Sequence, residues 1–219
     1  PMVATPLLAL STDIQTAIVL TLIPTLLVNL ISIISEGNIL VAARRHFSLA
    51  LLAMLGSAVG TQILLTVNSD IFEVLLGVVI IIYLLAEKIK LKLSWIREQP
   101  KFSKFTFGLS AGIIGGLTNV MAPVLIIYSL ESKYSKSDTV QASNLCFLLG
   151  KIIQIFLFFI NGKFSLNEFS TSSAMFIVTS FALYGGIAVR NKIKGKAYQK
   201  ILRLLLFILA IILLIQVSI

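Results

Sequence analysis

The sequence predicts an all-α, polytopic integral membrane protein built from two inverted repeats, each a broken or re-entrant element followed by three transmembrane helices. Three observations carry that expectation. Of 219 residues, 58% are hydrophobic and only 12% charged, and the mean hydropathy is +1.01. A soluble domain is about half apolar and about a quarter charged, so this chain cannot solvate a globular surface, and it is too apolar to stay disordered. The apolar residues gather in segments close to the ~20 residues that a bilayer crossing takes, which leaves no room for a soluble domain. The basic residues, 18 Lys and Arg against 9 Asp and Glu, segregate to one side of the membrane under only one topology.

Eight apolar elements follow in order. The first, 1–10, is a stub. It opens on Pro1, with neither a basic n-region nor a small-residue cleavage site, so it reads as no signal peptide but as the tail of a longer element whose N-terminal part is missing. The second, 13–34, begins at Asp13, and the sixth, 138–160, begins at Asp138; each acid suits a helix N-cap or first turn. The third, 47–66, carries Gly56 and Gly60, which suit close helix packing. The fourth, 71–86, ends in a charged stretch, 87–104. The fifth, 105–130, is interrupted by Gly108, Gly112, Gly115, Gly116, Asn119 and Pro123. The seventh is 166–189 and the eighth 200–219. Each is expected to be helical, because lipid offers a single segment no other partner for its backbone.

A repeat relates the two halves. Adding 125 to the residue number lays the second element on the sixth and the third on the seventh without a gap. Asp13 then falls on Asp138, Ala17 on Ala142, Leu20 on Leu145, Gly37 on Gly162, Ser48 on Ser173 and Gly60 on Gly185. Matching element lengths and loop glycines carry more weight than these few identities. The expected division is a first repeat over 1–87, a basic cytoplasmic loop over 88–104 and a second repeat over 105–219.

Charge decides the direction of each element. If all eight cross, nine bases lie inside and eight outside, which is no bias. If the fifth element enters and returns on one side, 16 bases lie inside and Lys163 alone outside, with Lys151 in the membrane. The positive-inside rule selects the second arrangement, in which the halves are inverted. Paired broken elements in inverted repeats are a transporter architecture with its site at the midplane. The same topology accounts for the basic excess without nucleic acid, for which there is no soluble basic domain. Arg44, Arg45 and His46, at a helix entrance, read as topology determinants.

One Cys and one His exclude a disulfide framework and a Cys/His metal site. No Walker motif, GxSxG or HExxH occurs, so neither ATP-driven transport by this chain nor hydrolysis has support, and no cofactor, metal or catalytic residue is expected. The densest polar signal is Gly108 to Pro123. Gly108, Gly112 and Gly116 at four-residue spacing fit a packing face. Thr118, Asn119 and Pro123 fit a break instead, with 115–119 non-helical and a new half-helix starting near Asn119 whose free N–H groups would hold an anion. On the sixth element Gln141, Asn144, Lys151 and Gln154 share an arc of about 140°. Lys151 lies near the middle of its span, where a charge faces a bundle interior or a water-filled path, or else snorkels to the headgroups. An amine at that depth can give up its proton, which makes a proton the candidate coupling ion. Thr21, Thr25, Asn29 and Ser32 form a similar stripe, equally explained by hydroxyls bonding back to their own helix.

The segments GLSAGIIGGLTNVMAPVLIIYSL and SKSDTVQASNLCFLLGKIIQIFLFFINGKFS resemble the second half of the TauE/SafE-type sulfite exporter family of membrane transporters, and EGNILVAARRHFSLALLAMLGSAVGTQI resembles its first half. The family's first-half Gly-Gly-Gly motif is absent, in keeping with a missing N-terminal piece. The resemblance implies passive or ion-coupled transport, most simply export, of a small sulfur-containing anion such as sulfite, thiosulfate or a sulfonate across the bacterial inner membrane. By resemblance Gly115, Gly116, Thr118, Asn119 and Pro123 match the second-half motif, and Asn144 and Lys151 lie on the helix that follows. The expected partners are a small anionic substrate, the lipid bilayer and a proton. The alternative is a non-transport membrane protein, an assembly factor or membrane enzyme.

Overall fold

The computed structural model describes residues 3–67, 70–86, 93, 95–190 and 195–216. All regular structure among them is helical: α1 (Ala4–Ala9), α2 (Ile14–Ser35), α3 (Ile39–Thr66), α4 (Asp70–Ala86), α5 (Trp95–Glu98), α6 (Pro100–Thr118), α7 (Ala122–Glu131), α8 (Lys136–Ile160), α9 (Leu166–Arg190) and α10 (Gly195–Gln216). Lys88, Lys90, Lys92, Lys192 and Lys194, on which part of the charge argument rests, lie outside the described residues.

Polar caps set the helix ends. The Asp13 carboxylate accepts from the Thr16 N–H at 3.0 Å and starts α2. Asn38 accepts from the Leu40 N–H at 2.8 Å and starts α3. Ser135 accepts from the Asp138 N–H at 3.0 Å while its hydroxyl donates to the Asp138 carboxylate at 2.7 Å, so Asp138 is a first-turn acid of α8. Before α9 the Ser165 N–H and hydroxyl both donate to the Glu168 carboxylate. Satisfying the first N–H groups locally is what allows a helix to begin next to lipid.

Three boundaries differ from those expected. The third element starts at Ile39, not 47, because Asn38 caps it; Arg44 and Arg45 thus sit inside a helix rather than before one. The charged stretch is partly helical, with α5 anchored by the buried Ile96 and α6 opened by Pro100 at its first turn. The eighth element starts earlier, at Gly195.

Helices α2, α3 and α8 are long and apolar enough to cross a membrane. Large apolar side chains such as Phe47, Val59, Phe156 and Phe181 are exposed on the bundle surface, as a lipid-facing wall requires. The tightest seam is α3 against α6. A Cβ at Gly116 would stand 2.6 Å from the Ser57 carbonyl oxygen, and one at Gly112 would stand 2.7 Å from the Ser57 nitrogen; Gly56 and Gly60 meet the backbone of Leu109 and Ile113 as closely. Helices in lipid hold together through such backbone approach rather than through a hydrophobic drive.

Helices α6 and α7 fold back on each other, and the start of α6 and the end of α7 lie at one end of the bundle. Phe107 on α6 packs on Tyr128 of α7 with ring centroids 5.6 Å apart. The Leu93 N–H, ahead of α5, donates to the Glu131 carboxylate at the end of α7 at 3.3 Å. At that same end Arg45 pairs with Asp138 at 2.5 Å, and the Ser137 hydroxyl donates to the Glu36 carbonyl at 3.0 Å. Tyr134, between α7 and α8, is half-buried there, and burial holds its phenol well above the ordinary range.

Candidate functional site

The chain breaks where α6 stops and α7 begins. Helix α6 stays regular through Gly115 and Gly116 to Thr118, and Asn119 then turns left-handed at φ 66°. Asparagine tolerates that conformation better than most residues. Its N–H still bonds the Gly115 carbonyl at 2.9 Å, while the Val120 N–H turns to the Thr118 hydroxyl at 3.3 Å. The Thr118 hydroxyl itself donates to the Ile114 carbonyl at 2.7 Å. Pro123 then sits in the first turn of α7, where a missing N–H costs nothing.

Two expectations are corrected here. Of residues 115–119 only Asn119 leaves the helix, because Gly115 and Gly116 serve close packing: Gly115 against the Met121 side chain and Gly116 against α3. Asn119 does not open the second half-helix either. It closes the first, as the C-cap of α6, and α7 starts after Met121 with no side-chain cap.

Lys151 reaches this break from α8 and is 1% exposed. Its Nζ donates to Asn119 Oδ1 and to Gln154 Oε1. Both partners are neutral amides, and each is pinned from behind. Asn119 Nδ2 donates to Thr5 Oγ1 at 2.6 Å and to Thr21 Oγ1 at 2.9 Å. Gln154 Nε2 faces the carbonyls of Gly115 at 3.5 Å and Gly116 at 3.4 Å. Among the described residues the ammonium therefore meets acceptors only, and the amide donors point away. All of Thr5, Thr21, Thr118, Asn119 and Gln154 are buried, so the network lies in a low-dielectric interior where each bond is strengthened.

The other sequence-picked residues fall at varying distance from this network. Asn144 is half-buried two turns nearer the start of α8 and donates to the Val140 carbonyl at 2.8 Å, one turn back on its own helix. Thr25 and Ser32 donate to carbonyls of α2, the back-bonding that their stripe also allowed. Asn29 is buried with no partner for its Nδ2 among the described residues. His46 is buried beside Tyr134 at 5.4 Å between ring centroids, far along α3 from the break.

Three members of the network are not among the site residues the sequence predicts. Gln154 belongs to the predicted polar arc, and its place three residues after Lys151 puts it one turn away on the same face. Thr21 belongs to the stripe on the second element, and Thr5 to the stub, where a hydroxyl in an otherwise apolar stretch is its one signal.

A cavity of about 490 Å³ opens at the opposite end of the bundle, lined among others by Asp13, Gln15, Thr16, Val19, Lys163 and Glu168. Val19 on its wall belongs to an apolar cluster with Leu22, Val120 and Phe158. Neither Lys151 nor Asn119 lines the cavity.

The family model for Sulfite exporter TauE/SafE matches residues 1–213. No curated protein and no solved structure matches the chain.

Proposed function

Because the chain belongs to the sulfite exporter TauE/SafE family, we propose that it is a secondary transporter that exports a small sulfur-containing anion, such as sulfite, thiosulfate or a sulfonate, across the bacterial inner membrane. The observation that carries this reading is Lys151, a buried cation set against the break in the membrane-deep element that matches the family's second-half motif. A charge at that depth marks a substrate or ion pathway.

In this reading Asn119 and Gln154 supply oxygens that satisfy the ammonium. An entering oxyanion displaces one amide oxygen and takes its charge-assisted bond to Nζ. The first turn of α7, which has no side-chain cap among the described residues, adds the positive end of a helix dipole beside it. Gly115, Gly116, Thr118 and Pro123 shape the break, and Asn144 lies on the route toward the basic face. Exchange of a neutral acceptor for an anion keeps the lysine paired in both states, and a proton on Lys151 is the coupling ion.

The inverted repeat, over 1–87 and 105–219 with the basic loop 88–104 between, is supported by register and packing. The 125-residue offset carries Ser35, the end of α2, onto Ile160, the end of α8, and Asp70, the start of α4, onto Gly195, the start of α10. The packing of α2 on α9 mirrors that of α8 on α3, and α1 on α10 mirrors α7 on α4. The end bearing Arg45, Lys101, Lys133 and Lys136 is cytoplasmic by the positive-inside rule. An assembly factor or membrane enzyme has no comparable observation behind it.

The test is flux of labelled sulfite, thiosulfate and taurine in liposomes carrying the protein. Saturable movement of one of them is expected. Rates equal to those of protein-free liposomes for all three would end this reading.

A further inference from the structure

We propose that the oxygens around Lys151 form a monovalent-cation site, of a kind that takes Na⁺ or Li⁺, and that the lysine's own tethered ammonium is its resident cation.

The orientation of the two amides carries the inference. Here Asn119 and Gln154 both turn oxygen toward Nζ. The Asn119 amide nitrogen donates to Thr5 and Thr21, and that of Gln154 faces the Gly115 and Gly116 carbonyls. Reversing either amide would set an NH₂ group against the ammonium, and reversing Gln154 would also set its oxygen against two carbonyls.

Position supports the chemistry. The oxygens gather at the C-terminal end of α6, where the last carbonyls lack helical partners and the helix dipole is negative. Neutral oxygens at the end of a broken half-helix are ligands for small alkali cations. With the ammonium in place the site needs no free ion. Cutting the side chain back to alanine vacates the Cγ, Cδ, Cε and Nζ positions and leaves inward-facing oxygens that a dissolved cation can fill.

The inference goes beyond anion transport and does not rest on it. It is tested by thermal unfolding of the purified full chain in NaCl, LiCl or choline chloride at equal ionic strength. The parent is expected to melt at the same temperature in all three. Lys151→Ala, and Lys151→Ser run beside it, are expected to melt about 3 °C or more higher in Na⁺ or Li⁺ than in choline, the shift that binding well above Kd gives a chain of this size. Adding Gln154→Leu to either is expected to abolish the gain. The proposal is overturned if the parent itself gains stability saturably in Na⁺ or Li⁺. It is overturned equally if neither truncated variant gains any, or if the gain survives Gln154→Leu. No anion enters this assay, so a failure of the transport reading leaves its result standing.

Discussion

Arg45 on α3 and Asp138 on α8 form an ion pair of 2.5 Å, and that contact marks the end of the bundle at which the two helices meet. It brings the segment bearing Lys133 and Lys136 to the end of the bundle that holds Arg44 and Arg45. Had the element between α5 and α8 crossed, those two groups of bases would lie at opposite ends. The pair is a marker of topology more than a source of stability, since the Arg45 side chain is 65% exposed and such pairs contribute about 0–1 kcal/mol.

The first prediction concerns that topology. In a Cys146→Ser background, Lys163→Cys is expected to react with an impermeant thiol reagent in intact cells, and Lys133→Cys only after the membrane is opened. Reaction of Lys133→Cys in intact cells, with Lys163→Cys protected until the membrane is opened, would remove the inverted arrangement.

Lys151→Met keeps the apolar stem and removes the charge. Anion flux is expected to fall to the background level, while the amount of protein inserted stays at least equal, because a methionine at mid-membrane costs less than a lysine. Lys151→Arg, always charged, is expected to keep part of the binding and lose any proton coupling. Parental flux in the Met variant would relieve the lysine of its assigned role.

Backbone conformation and hydrogen bonding separate at Asn119. Asn119→Gly keeps the left-handed turn and loses the bonds to Lys151, Thr5 and Thr21; Asn119→Ala loses the bonds and strains the turn. The Ala variant is therefore expected to be about 1 kcal/mol less stable than the Gly variant, read as a lower melting temperature in detergent. Equal stabilities would mean that the turn relaxes.

Two glycines contrast packing with strain. At Gly112 an added Cβ meets the α3 backbone, whereas at Gly162, φ 66°, it meets nothing within 4 Å. Gly112→Ala is expected to cost about 1–3 kcal/mol or more because backbone cannot step aside. Gly162→Ala is expected to cost about 1 kcal/mol from its left-handed φ alone. Thermal unfolding of the pair checks the order.

Hydropathy located the centres of the apolar elements and missed several ends. Asn38 and Ser135 begin α3 and α8 outside the apolar runs, so the caps, not the lipid-soluble residues, fix the starts. The break was visible in Thr118, Asn119 and Pro123, but sequence does not distinguish an asparagine that closes a helix in the left-handed region from one that caps the next. Gly115 and Gly116 were read as breakers, although a glycine pressed against a neighbouring helix or side chain stays helical. Lys151 announced itself by depth alone. The residues behind Asn119 did not, because Thr5 and Thr21 lie 114 and 98 residues from it in the chain, and only the folded bundle brings them there.

The order of those partners along the chain has a consequence for biosynthesis. Thr5, Thr21 and Asn119 are all made before Lys151, and only Gln154 after it. A lysine delivered alone to the centre of a bilayer costs about 3 kcal/mol on translocon insertion scales. Here α8 leaves the ribosome last among the elements of the network, and the receiving oxygens are already in the membrane when the ammonium arrives. A circular permutant that begins at α8 reverses this sequence and sends the cation in first. Its yield of correctly inserted α8, scored by a glycosylation tag in the 161–165 turn, is expected to fall below that of the natural order.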